Sequence, residues 1–126
     1  DAVVTADGLT LDIYAVVSQD AYALMFMGCI GNFEAFISGD ADTSEEQRFL
    51  ENHALPDTEV FVAGHHGSKY SSGGALIKAL RAEYAVVSSG YNSYGHPTKE
   101  ALSRFDSAGM TILRTDELGN ISLKAA

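Results

Sequence analysis

Three times along this 126-residue chain, a strand-length apolar run stops in a cluster of small and polar residues, and a helix-like segment follows. "FEAFIS" (33–38) leads into "GDADTSEE". "VFVA" (60–63) leads into "GHHGSKYSSGG". "YAVVS" (84–88) leads into "SGYNSYGHPTKE". Strands alternating with helices predict an α/β layered domain. Further apolar runs predict strands at 12–17, 22–27, 111–114 and 121–124. "MGCIGN" reads as a hairpin loop between the second and third of the seven. "TDELGN" reads as another between the last two, with Gly119-Asn120 supplying positive-φ residues. Three helices fit between the strands. The first covers 44–52, with Thr43 and Glu46 at capping-box spacing and Phe49 and Leu50 facing inward. The second covers 73–81 and carries Leu76, Ile77 and Leu80. The third begins near Pro97, bears a stripe of Ala101, Leu102, Phe105 and Ala108, and stops at Gly109. The order is β-β-β-α-β-α-β-α-β-β, with no repeat, low-complexity segment or linker, so 1–126 reads as a single domain or a fragment of one.

Eight basic residues against seventeen acidic ones give a formal net charge of −9. That balance argues against a nucleic-acid surface built from Lys and Arg. The stretch Ile13–Ser38 is free of Lys and Arg but is broken by Asp20, Gly28, Gly31, Asn32 and Glu34, so it does not read as a membrane span. Cys29 is the single cysteine, which excludes an internal disulfide; it reads as a core residue.

Each of the three loops carries groups capable of chemistry. Asp40 follows Gly39 at a strand's C-terminal end, the edge at which α/β sheets bind ligands, and a carboxylate there can ligate one metal or bridge two. His65 and His66 follow the next strand, and imidazole is a first-choice ligand for zinc, manganese or iron. If the strand continues through them, only one can reach a given metal; if the backbone turns at Gly64, both can face one site. The turn that follows, "GSKYSSGG" with Ser68 and Lys69, supplies hydroxyls and free backbone N–H groups ahead of a helix, a cradle for an anion such as phosphate. Tyr94 and His96 occupy the third loop, His96 as a general acid or a phosphate contact. His53 reads as a helix-end residue. No G-x-S-x-G elbow is present, so metal-assisted hydrolysis is favoured over nucleophilic catalysis.

Taken together, "SGDADTSEEQRFL", "VFVAGHHGSKYSS", "VVSSGYNSYGHPTKEAL" and "ILRTDELGNISL" resemble the C-terminal half of the metallo-β-lactamase-like domain of ComEC, the DNA-uptake competence family. The combination HHGSK-x-SS, N-x-YGHP and RT-x₃-G-x-I carries the resemblance, which covers 12–124. It implies half of an αββα sandwich with a mixed sheet and about three helices. It also implies one or two metal ions, zinc or manganese, with Asp40 as the bridging carboxylate and His65 or His66 as a ligand. His96 would stand beside the site as a catalytic group, with Ser68, Lys69 and Tyr94 on the substrate side. The implied reaction is phosphodiester hydrolysis by a metal-activated water, on DNA taken up as a single strand.

The family's first-half motif, His-x-His-x-Asp-His, does not occur here, and "SQDAYALMF" stands where relatives carry an Asn-rich segment. A catalytic zinc takes three protein ligands, and a two-metal site takes more. The chain therefore reads as a fragment completed by an upstream half of the same domain, in keeping with a start that is not Met. A degenerate member is the alternative. The expected parent is a bacterial membrane protein and this chain a soluble piece of it, which binds metal weakly or not at all and dimerises through an uncovered sheet face. A secreted phosphoesterase on the same scaffold and a non-catalytic interaction remnant are the competing functions.

Overall fold

The structure is a computed structural model that describes residues 2–6, 8–17, 22–90 and 95–124. Seven strands form one mixed sheet: β1 (Ala2–Ala6), β2 (Leu9–Val17), β3 (Tyr22–Ile30), β4 (Phe33–Ile37), β5 (Val60–Val62), β6 (Tyr84–Val87) and β7 (Thr111–Arg114). Their order across the sheet is their order in the chain. The first four pair antiparallel, and β4 to β7 pair parallel. The parallel strands are joined by α1 (Thr43–Asn52), α2 (Gly74–Leu80) and α3 (Lys99–Ser107), and α4 (Thr115–Leu118) follows β7. The α/β class with a mixed sheet is as the sequence predicts.

A right-handed crossover repeated in one direction along a sheet places every helix on the same face. The register agrees. Met27, Phe36, Phe61, Ala85 and Ile112 make one row across five strands. On that row Phe36 meets Phe49 of α1, with ring centroids 5.6 Å apart, and Phe61 meets Phe105 of α3 at 6.0 Å. Leu76, Ile77 and Leu80 of α2 complete this core. The next row, Phe26, Ile37, Val62, Val86 and Leu113, points the other way. On that second face Leu24 and Ile30 are about half exposed, at 51% and 52%. One face of the sheet is packed under helices, while the other keeps apolar side chains open, as a half-sandwich does.

Several boundaries differ from the sequence reading. "AVVTA" at the start is a strand, zipped to β2 by pairing although all five of its residues are exposed. Residues 121–124 are not a strand. "TDELGN" is no hairpin loop: Thr115–Leu118 is a helical turn closed by a hydrogen bond from the Gly119 amide to the Thr115 carbonyl, 3.0 Å. Among the described residues this turn is a fourth helix beside the three expected, and Gly64–Gly67 adds a 3₁₀ turn. β3 runs through "MGCI" to Ile30, because Met25, Met27 and Cys29 keep the two-residue alternation going. The hairpin turn is Gly31–Asn32 alone. α1 is capped by Asp42, not Thr43: the Asp42 carboxylate accepts the Glu45 amide at 3.0 Å. That bond, with the Ser44 hydroxyl, holds the Asp42 carboxyl below its usual range. α3 begins two residues after Pro97, with Thr98 as its cap.

Candidate functional site

β4, β5 and β6 are parallel, so their C-terminal ends lie on one edge of the sheet, and the three polar loops leave from it. Asp40 is exposed just past β4. After β5 the backbone turns at Gly64. His65 and His66 take φ of 46° and 54°, so the extended alternative does not hold and both rings stand on the turn. Their centroids are 6.3 Å apart, and His65 lies 5.5 Å from His96 in an edge-on arrangement. Three of the four histidines therefore gather at one place. His66 Nδ1 donates to the Ser88 carbonyl at 2.6 Å. In the neutral ring this leaves the lone pair on Nε2 and fixes the ring's direction.

The first two loops are stitched together. The His65 amide donates to the Gly39 carbonyl (2.8 Å), the Ser71 hydroxyl to the Ala41 carbonyl (2.6 Å), and the Thr43 amide to the Tyr70 carbonyl (2.8 Å). A Cβ on Gly64 would lie 3.1 Å from that of Ser71 and 3.3 Å from that of Ser38, so the backbones meet where little more than hydrogen fits. The third loop docks on the second at Gly67, whose carbonyl accepts both the amide (2.9 Å) and the hydroxyl (3.1 Å) of Thr98. Ser38 is fully buried between these loops, and its hydroxyl has no partner among the described residues.

Three residues that were not among the sequence-derived site candidates hold this edge. Glu46 on α1 is 1% exposed and takes the amides of Ser72 (2.6 Å) and Gly73 (2.8 Å). Burial pushes its carboxyl up to about 7, against the pull of those amides and of Arg104. Arg104 on α3 donates to the carbonyls of Lys69, Ser71 and Ser72 at 2.9–3.1 Å. Thr115 accepts the Ser89 amide at 2.8 Å and donates to the Ser89 carbonyl at 2.8 Å, which steadies the loop that holds His66. The one signal for Glu46 was its capping-box spacing, which pointed to the wrong partner.

The remaining candidates fall as follows. Ser68 is buried and its hydroxyl accepts the Tyr70 amide at 3.2 Å. Lys69 is exposed, its ammonium 5.2 Å from the Tyr70 ring centroid. Tyr94 and residues 18–21 of the segment that departs from the family pattern lie outside the described residues. His53 is stacked on Phe49 with centroids 4.6 Å apart, away from the histidine cluster and in keeping with a helix-end role. Cys29 is half-buried against the core, where burial, then Glu34, raises its thiol. Imidazole and carboxylate suit a divalent transition metal in kind. Among the described residues, however, no three His, Cys, Asp or Glu side chains stand in metal-holding geometry.

A half-sandwich with its polar loops on one edge, related in sequence to competence proteins, is the class these features define. The chain is 41% identical over 91 residues to competence protein ComA of Neisseria gonorrhoeae, a match covering 71% of this chain and 13% of that protein. It is 32% identical over 95 residues to ComE operon protein 3 of Bacillus subtilis, covering 75% of this chain and 12% of that one. Recombination protein 2 of Haemophilus influenzae is 35% identical over 82 residues, 62% of this chain and 10% of its own length. The chain thus spans only about an eighth or less of each of these much longer relatives. No protein-family model matches it. No helix among the described residues is long and apolar enough to cross a membrane.

Proposed function

We propose that this chain is the C-terminal half of a ComEC-like metal-dependent hydrolase domain that cleaves DNA phosphodiesters during uptake. The observation that carries the reading is the gathering of His65, His66 and His96 on the sheet edge beside the Asp40 loop. Relatedness to competence proteins supports DNA as the substrate class. Asp40 and His65 or His66 are this chain's share of the metal ligands, and the upstream half of the domain supplies the rest. Zinc or manganese, when bound, provides an activated water. His96 donates a proton to the departing oxygen or holds a phosphate oxygen. Lys69 supplies positive charge toward the phosphate, Ser68 shapes the turn that presents it, and Tyr94 belongs to the same substrate side. The open apolar face of the sheet supports the upstream half as its cover. The parent protein is then a bacterial membrane protein.

The test is metal-dependent cleavage of single-stranded DNA by the full-length protein. Asp40→Ala is expected to lower it at least a hundredfold, on the scale of losing a principal electrostatic contact in a hydrolytic site. Unchanged cleavage in that variant refutes the assignment of the site.

A further inference from the structure

Three of the four non-glycine residues with positive φ among the described residues are His65, His66 and Ser72, at 46°, 54° and 56°. All three lie in the single loop between β5 and α2. Left-handed backbone is unfavourable for residues bearing a Cβ, and it persists only where its surroundings impose it. Here they do so from two sides. Glu46 brings a carboxylate to the amides of Ser72 and Gly73, and a Cβ on Gly73 would lie 3.3 Å from its Oε1. Arg104 brings a guanidinium to the carbonyls of Lys69, Ser71 and Ser72. Burying a carboxylate is costly, and an apolar residue would fill the space more cheaply. Both side chains are instead directed at the main chain of one loop. From Ser72 the path to the histidines is short, because the Ser72 hydroxyl accepts the amide of Gly64, the residue before His65, at 3.0 Å.

We infer that Glu46 and Arg104 are positioning residues, a clamp on the backbone of 69–73 that sets the direction of the His65 and His66 rings through Ser72 and Gly64. The role matters to the extent that the histidine cluster is the site, and in that respect it rests on the reading above.

The experiment combines two readouts on Glu46→Gln and Arg104→Lys. The first is hydrogen exchange of the 64–73 amides. Each variant loses hydrogen bonds to this loop, so exchange there is expected to rise about tenfold, with β5 unchanged. The second is the ring resonances of ¹⁵N-labelled histidine. Those of His65 and His66 are expected to shift while that of His53 stays, a change that a loss of stability alone would not produce. Loop exchange and ring resonances equal to wild type in both variants would overturn the clamp. Arg104→Lys keeps the test decisive if Glu46→Gln loses its fold. Neither readout involves metal or DNA, so cleavage unaffected by Asp40→Ala refutes the assignment of the metal site while leaving this result standing.

Discussion

Gly67 shows how much one missing side chain decides. Its φ is +84°, and a Cβ there would lie 2.6 Å from that of Pro97 and 2.9 Å from its Cα. Gly67→Ala must therefore strain the turn or push the third loop away. A loss of about 2 kcal/mol in urea unfolding is expected, together with a changed His96 ring resonance. Ser38 is the opposite case. Its buried hydroxyl has no partner among the described residues, so Ser38→Ala should leave stability within about 1 kcal/mol or raise it. A large loss in thermal unfolding would show that the hydroxyl has a partner after all. Asp40, His65, His66 and His96 were legible as candidates because reactive side chains after strand ends are conspicuous. The direction of the histidine pair was not legible. Positive φ is announced by Gly or Asn, and neither stands at 65 or 66, so only the surrounding loops reveal the turn.

Among the elements, α1 ties the core to the site. Phe49 packs on Phe36 and Tyr14 from one side of the helix, and Glu46 reaches the loop after β5. Phe49→Ala should cost about 3–5 kcal/mol in chemical denaturation. Glu46 sets a dependence on pH. Burial raises its carboxyl to about 7 from 4.5, opposed by the two loop amides and Arg104 and assisted by Asp42. The folded chain then holds a proton that the unfolded chain has released, so stability falls as pH rises from about 4.5 to about 7. The drop is of order 3 kcal/mol. Glu46→Gln should flatten that slope in melts taken between pH 5 and pH 8, and an unchanged slope would assign it to another group. The helices were readable from their apolar stripes. The cap of α1 was not, because Asp42 and Thr43 are both capping types and the true partners of Glu46 lie 26 and 27 residues away. β1 and α4 escaped for a related reason: each is short and exposed, and exists through its neighbours.

For the whole molecule, the asymmetry of the sheet dominates. Apolar side chains such as Leu24, Ile30 and Ile37 stay open on the face away from the helices. An uncovered face of this kind promotes association. The 126-residue chain on its own is expected to dimerise, and Leu24→Lys with Ile30→Lys to return it to monomer in light scattering. A wild-type monomer at high concentration would refute this. The α/β class was legible from the alternation of runs, and the coverage of only one face follows from three like-handed crossovers taken in sequence. The sheet's strand order carries one more consequence. Because every strand lies beside the one before it, a ribosome delivers the pieces in the order in which they fit. Each new strand can dock on a finished edge without waiting for distant chain, which favours fast closure. The loops of Asp40, His65 and His96 are then laid down one after another. Thr115, which steadies the backbone behind His66, arrives last, so a nascent chain halted before it would carry the histidines without their final brace.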